Sequence, residues 1–322
     1  MNDWQPTAEI EILQKRAELL HQVRCFFKDR NVMEVDTPVM SHCAVSDPFI
    51  DSIEVHYKPS VEADSTLMFM QTSPEYAMKR LLAAGSGAIY QLSKVFRNGE
   101  VGRRHNPEFT MLEWYRPGFT DTELMDEVEA LVRPVLGLQS IERVTYSDLF
   151  YRYLGFRPEQ VGIEQLITET RMHIEIELED TDPDTWLNLL MSHVIEPHLT
   201  EHEAVFVMDY PASQAALAKV RKNAQGVEVA ARFELFVRGV ELANGYYELT
   251  DAKEQKRRLD ADQAQRKQLG LPQRPLDYRL VNALQAGIPD CAGVALGFDR
   301  LFWLASDKSS LAEVLPFSFD RA

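Results

Sequence analysis

Two arginines and five carboxylates are the residues of this chain whose surroundings allow chemistry. Arg97 stands in FRNGEVGRRHNPEFTMLEWY, Phe96 to Tyr115, just past the apolar stretch AIYQLSKVF. Arg300 stands in GVALGFDRL, Gly293 to Leu301, where only small side chains occupy 293, 295 and 297. The planar guanidinium fork matches phosphate oxygens, so two fixed arginines can hold two phosphates of one nucleotide. Small residues beside one of them let a flat or charged ligand approach the backbone. Glu234 and Glu241 lie seven residues apart on what read as consecutive strands. Acids placed so repel unless a cation lies between them, and Mg2+ takes one or two carboxylates plus substrate phosphates. Glu75, Glu113 and Glu248 are the kind of group that a cationic substrate needs in place of its hydration.

The elements that must position these groups are legible from periodicity. Ile12, Leu13, Leu20, Val23, Phe26 and Phe27 predict an amphipathic helix over 8–30, stopped at Asn31. VMEVDTPVM alternates like a strand and ends at Pro38. PEYAMKRLLAAG predicts a helix from Pro74 to Gly85. AIYQLSKVF predicts a buried strand that delivers Arg97, and FTMLEWY a second strand across a polar hairpin-like excursion. Residues from about 120 to 202 read as a mostly helical peripheral insertion within one domain spanning 1–322. AVFVMDYP, ARFELFVRGVEL and the last glycine-rich segment restore the strand pattern. AKEQKRRLDADQAQRKQLG predicts a charged, solvent-facing helix ended by Gly270 and Pro272.

Composition narrows the partners. The chain has 322 residues, 45% apolar and 26% charged, as in ordinary globular proteins. No apolar run approaches the roughly 18 residues needed to span a bilayer. The start, MNDWQPTAEIEILQKR, lacks the layout of a signal peptide. Cys25, Cys43 and Cys291 are scattered and odd in number, which argues against a disulfide framework and fits a reducing cytoplasm. Acids outnumber bases 50 to 34, a net charge of −16. Nucleic-acid binders normally show a basic face, so the default partner is not RNA or DNA.

Taken in order, the segments resemble the catalytic core of class II aminoacyl-tRNA synthetases, and specifically lysyl-tRNA synthetases. The resemblance runs from about Ile10 to Ala322. It is carried by TSPEYAMKRLL, FRN with RHNPEFTMLEWY, ARFELF, ELANGYYELTDA and GVALGFDRL. It implies an α+β fold, mainly antiparallel sheet flanked by helices, and activation of a lysine-type carboxylate by ATP and Mg2+. It also implies a homodimer, built on the N-terminal helix and the strand before Pro38. Arg97 would contact the α-phosphate and the substrate carboxylate, and Arg300 the γ-phosphate. Phe109 would stack on adenine, with Asn98, Gly99, Glu100, His105, Asn106, Leu242 and Gly297 along the nucleotide. Glu234 and Glu241 would hold the metal. Ser73, Pro74 and Asn244 would line the lysine pocket, Glu75 taking the backbone-side amine and Glu113, Tyr115 and Glu248 the far ammonium.

Lysyl-tRNA synthetases carry an anticodon-reading OB-fold of roughly 100 residues, and here the core begins too early for one. WYRP, YPASQAALA and the ending FSFDRA resemble the truncated bacterial branch of the family that lacks it. That implies (R)-β-lysine as substrate and elongation factor P as protein acceptor. A tRNA-charging enzyme and a non-catalytic regulatory protein are the alternatives, each disfavoured by the charge balance or by the intact arginines and acids. Two departures stand out. Gly99 replaces a glutamate that helps read adenine, with Glu100 next to it. Ala295 stands where lysyl-tRNA synthetases have glycine, and its methyl would crowd the amine end of α-lysine. Two further patterns are set aside: HLTEH, His198 to His202, as a zinc motif, and Gly85 to Gly87 as a nucleotide loop.

Overall fold

The computed structural model describes residues 4–322. Its strands are β1 (Met33–Glu34), β2 (Met40–Ser41), β3 (Glu54–Tyr57), β4 (Thr66–Met70), β5 (Ile89–Phe96), β6 (Glu108–Pro117), β7 (Glu142–Thr145), β8 (Ala204–Pro211), β9 (Val220–Lys222), β10 (Glu228–Val237), β11 (Val240–Tyr247) and β12 (Cys291–Gly297). The helices are α1 (Ile10–Lys28), α2 (Glu75–Ala83), α3 (Asp121–Leu136), α4 (Tyr146–Leu154), α5 (Ile163–His173), α6 (Pro183–Leu190), α7 (Glu196–His198), α8 (Ala252–Gln268), α9 (Tyr278–Ala286) and α10 (Phe298–Leu304). None of these helices is long and apolar enough to cross a membrane. The chain forms two compact units, one of the residues up to Gly118 with Thr250–Ala322, the other Phe119–Leu249.

In the first unit β5 and β6 pair antiparallel from Ile89↔Tyr115 to Phe96↔Glu108. β12 pairs antiparallel with the other edge of β6, from Cys291↔Pro117 to Gly297↔Met111. Opposed residues share a face, so odd-numbered side chains of all three strands point one way and even-numbered ones the other. The even face is closed by α1. Phe27 stacks on Tyr90 at 4.3 Å and meets Trp114 edge-on at 5.3 Å. The odd face is covered at one end by α2, whose Met78 and Leu82 pack with Ile89, Tyr115 and Cys291. Gln91, Glu113, Ala295 and Phe109 continue along that face. β2, β4 and β3 form a separate three-stranded sheet.

Three expectations are corrected here. VMEVDTPVM yields Met33–Glu34 as strand, parallel to β5, and its last residue, Met40, opens β2. Main-chain pairing persists as far as the Val35 N–H, which meets Tyr90 O at 2.8 Å. The Thr37 N–H is then diverted to the Gln91 side-chain oxygen, and Pro38 has no N–H to offer. The buried stripe of α1 is Ile12, Arg16, Leu19, Val23 and Phe27, leaving Leu13, Leu20 and Phe26 only half-buried. Arg16 belongs to it because its guanidinium meets the buried Asp299 at 2.5 Å. α8 is not wholly solvent-facing, since Gln255, Leu259 and Arg266 are buried. Arg266 donates to Pro272 O and Asp47 O, at 2.8 and 2.9 Å.

In the second unit β10 pairs antiparallel with β8 and β11, β7 runs parallel to β8, and β9 adds to β10. The helices of 120–202 share a core with these strands: Tyr146, Phe150, Trp186 and Ile195 pack with Val205, Val207, Ala230 and Phe236. β10 and β11 shift register between Leu235 and Phe236, beside the buried Leu242. Gly245, in the middle of the ANGYY run, lies opposite Phe233, and any Cβ there would overlap that ring.

Candidate active site

In the first unit the phosphate-type residues lie near where β5 ends. Phe96 closes the strand, and the Arg97 N–H bonds Pro107 O at 2.9 Å. The Arg97 guanidinium lies 5.2 Å from the ring centroid of Phe109, which is half-buried. Its Nε is buried and makes no hydrogen bond among the described residues, while NH1 lies 3.7 Å from Glu100 Oε1. Gly99 has φ +79°, a left-handed conformation in which a glutamate would be strained. Asn98 is tied to Asp51 twice, N–H to carbonyl at 2.9 Å and Nδ2 to Oδ2 at 3.0 Å. Arg274 holds Asp51 from the other side at 2.6 Å.

Arg300 sits in α10, with Gly297 as N-cap. Its NH2 lies 2.7 Å from His105 Nε2. Asp299 anchors the helix by accepting the Thr110 N–H at 2.8 Å as well as Arg16. A Cβ on Gly297 would come within 3.5 Å of the Arg300 side chain, an ordinary contact. Asn106 works locally: its Nδ2 donates to Glu108 O at 2.6 Å and its Oδ1 accepts the Phe319 N–H at 3.0 Å.

The amine-type residues lie further along the odd face. Glu113 is 2% exposed, flanked by Gln91 on β5 and Ala295 on β12 as its direct partners. The Tyr115 hydroxyl donates to Glu113 Oε1 at 2.8 Å. Gly293 lies opposite Tyr115 and Gly297 opposite Met111, so the Ala295 methyl is the only side-chain bulk at these three β12 positions. Pro74 caps α2, and Ser73 Oγ accepts the Glu75 N–H at 3.0 Å. Lys79, fully buried, meets Glu75 Oε1 at 2.7 Å. Sequence reasoning missed this partner, although i,i+4 spacing on a helix was its signal.

The other predicted residues belong to the second unit. Glu234 is the direct partner of Asn244 across β10 and β11, and Glu241 is opposite Phe236 beyond the register shift. Arg232 NH2 lies 2.5 Å from Glu234 Oε1, and the Tyr210 hydroxyl donates to Oε2 at 2.7 Å. Burial pushes the Glu234 carboxyl up, Arg232 pulls it down, Glu241 pushes it up again, and the net direction is upward. Burial works against the Arg232 charge, but Glu234, Tyr246 and Tyr210 together hold the guanidinium above its ordinary value. Asn244 Oδ1 is buried with no hydrogen-bond partner among the described residues. Glu248 is 1% exposed and pairs with Ala218 through an isolated bridge. Arg232 and Tyr210 were also missed. The signal for Arg232 was its place two residues before Glu234 on one strand, which puts both on one face.

The set-aside patterns behave as ordinary structure. His198 stacks on Tyr153 at 4.7 Å, and His202 lies 3.0 Å from its hydroxyl and 3.2 Å from Glu142. Among the described residues no group of three or more His, Cys, Asp and Glu could hold a metal ion.

Comparison with known proteins bears on what this arrangement does. The family model for class II tRNA synthetases (D, K and N) matches residues 3–321. A Vibrio cholerae protein named elongation factor P–(R)-beta-lysine ligase is 49% identical, over 100% of this chain and 99% of its own length. Proteins of the same name from Edwardsiella ictaluri and Pasteurella multocida are 47% and 44% identical, over 100% and 99% of this chain and 99% and 98% of their own lengths.

Proposed function

The chain belongs to the class II tRNA synthetase family, and from that premise we propose that it is an ATP-dependent ligase acting on elongation factor P. It adenylates (R)-β-lysine and transfers the lysyl group to the ε-amine of a lysine on that protein. The names of its relatives support the substrate and the acceptor. The observation that carries the reading is the ordered row on one sheet face. A buried carboxylate, Glu113, sits between Gln91 and Ala295, and Arg97 with Phe109 lies further along.

In the first step a carboxylate oxygen of the amino acid attacks the α-phosphorus of ATP. A P–O bond to the carboxylate forms, the bond to the β-phosphate oxygen breaks, and pyrophosphate leaves. Negative charge concentrates on the phosphates, so catalysis is mainly positioning and neutralisation. Arg97, with an uncommitted Nε, neutralises the α-phosphate, and Arg300 the γ-phosphate. Phe109 offers a ring face to adenine, a contact worth ~1–3 kcal/mol. Gly99, Glu100, His105, Asn106, Leu242 and Gly297 line the nucleotide, with Asn98 holding the loop. Glu113, Tyr115 and Glu248 take the far ammonium. Glu75 takes the other amine, with Ser73 and Pro74 beside it and Asn244 near the substrate carboxylate. In the second step the acceptor amine attacks the carbonyl carbon, an amide forms, AMP leaves and the amine gives up a proton.

Glu234 and Glu241 fit Mg2+. Both are hard oxygen donors on paired strands, and the charge of one is felt by the other. When bound, the ion supplies neutralisation of phosphate charge. The whole chain acts as one catalytic domain in the cytoplasm, where free thiols such as its three cysteines persist. A homodimer through α1 and β1 accounts for the exposure of Ile10 and Met33; light scattering at micromolar concentration is expected to give twice the chain mass. The net charge of −16 counts against tRNA as its acceptor. Pyrophosphate exchange that depends on ATP and a lysine isomer tests the first step, and exchange independent of any lysine isomer would refute it.

A further inference from the structure

Both oxygens of Glu234 are engaged by the chain's own groups, Arg232 on Oε1 and Tyr210 on Oε2. The guanidinium is held on several sides. Its NH1 donates to Gln214 O at 3.0 Å. Its central carbon lies 4.6 Å from the Tyr210 ring centroid and 5.9 Å from that of Tyr246. The Arg232 and Glu234 side chains are only 17% and 13% exposed. This is a fixed cation, not a mobile surface arginine.

We propose that Arg232 is an internal counter-cation that keeps the Glu234–Glu241 pair from taking a divalent ion until the nucleotide's phosphates arrive. The inference rests on the reading of these two acids as Mg2+ ligands. The Arg232 guanidinium cancels one of the two negative charges that the acids bring. Mg2+ dehydrates reluctantly and normally adds substrate phosphates to one or two carboxylates. A pair already half-neutralised gives the bare ion too little reason to leave water. The triphosphate brings the missing charge and oxygens, so ion and nucleotide bind as a unit. The same contact spares a mostly buried carboxylate from standing unpaired while the site waits. A lysine at 232 would keep the charge but lose the fork that reaches both Glu234 and Gln214.

The test is Mn2+ binding followed by electron paramagnetic resonance, on the free protein and with a non-hydrolysable ATP analogue. Wild type is expected to bind Mn2+ at least about tenfold more tightly with the analogue than without. Arg232→Met is expected to bind Mn2+ at least about tenfold more tightly than wild type without nucleotide, and Arg232→Lys to stay near wild type. Adding Glu234→Gln to Arg232→Met should abolish the gain. A folded Arg232→Met whose nucleotide-free affinity equals or falls below wild type overturns the proposal. If that variant does not fold, wild type decides alone, since equal affinity with and without the analogue overturns it too. A Glu234→Gln protein that keeps analogue-dependent Mn2+ binding overturns the metal reading itself, and the role of Arg232 with it.

Discussion

Ala295→Gly tests what sets the choice between lysine isomers. Ala295 is the direct β12 partner of Glu113, and its β12 neighbours on that face are Gly293 and Gly297. Opposed Cβ atoms in an antiparallel pair stand about 4.5–5.5 Å apart. The methyl therefore lies beside the carboxylate that would hold the far ammonium. The two isomers differ by moving one amine a single carbon along the chain. With the carboxylate and the far ammonium held at fixed points, that amine must occupy one of two places, and the methyl obstructs one of them. Overpacking by one methyl costs ~1–3 kcal/mol, or roughly 5- to 150-fold in a rate ratio. A glycine within a strand costs about 0.5–1 kcal/mol of stability, but this applies equally to both substrates and cancels in their ratio. The assay is pyrophosphate exchange with α-lysine and (R)-β-lysine, comparing kcat/KM for parent and variant. The ratio of α to β activity is expected to rise at least about fivefold. A ratio unchanged from the parent would show that residue 295 is small only for strand packing, and the steric argument would fail.

Other outcomes follow from the same geometry. Arg97→Ala and Arg300→Ala should each lower pyrophosphate exchange by about 10²–10³ with the fold intact; survival of exchange within about tenfold would remove the phosphate roles. Glu113→Gln should weaken the amino acid by ~3–5 kcal/mol, because a buried ammonium loses its charge partner. ATP affinity, measured calorimetrically, should change far less, and equal losses of both would indicate general unfolding. Asp262 gives a stability test away from the site. Burial pushes its carboxyl up to about 6, against the pull of the Ser46 hydroxyl. The unfolded value is about 3.9, so the native state holds the proton longer and stability falls as pH rises from about 4 to 6. After discounting for partial exposure, Asp262→Asn should add ~1–2 kcal/mol at pH 7.5 and nothing near pH 3.5. An equal change in Tm at both pH values would contradict this.

Much of the fold was legible because the elements that matter carry strong local signals. The β5–β6 hairpin, α2 between Pro74 and Gly85, and the β12 strand follow from alternation and turn residues. What local pattern could not reveal is pairing between distant polar groups. Arg16 was not part of the stripe read from the sequence, and Thr110 with Asp299, 283 residues away, makes it a buried position. Arg266 is buried for a similar reason, through carbonyls at 47 and 272. The short β1 was overcalled because alternation says nothing about where an N–H will go, and Gln91 captures that of Thr37. Among the candidate residues, the order of Glu75, Arg97, Glu113, Glu234, Glu241, Glu248 and Arg300 along the chain was readable. Their partners were not. Lys79 on Glu75 and Arg232 on Glu234 were in plain view at i+4 and i−2, yet their types suggested solvent.

Mass spectrometry of the intact acceptor tests the central claim most directly. The protein would be incubated with ATP, Mg2+ and (R)-β-lysine, with either elongation factor P or tRNA as acceptor. The account predicts that elongation factor P gains the mass of one lysyl group and that tRNA stays uncharged. Charged tRNA beside an unmodified elongation factor P would contradict it.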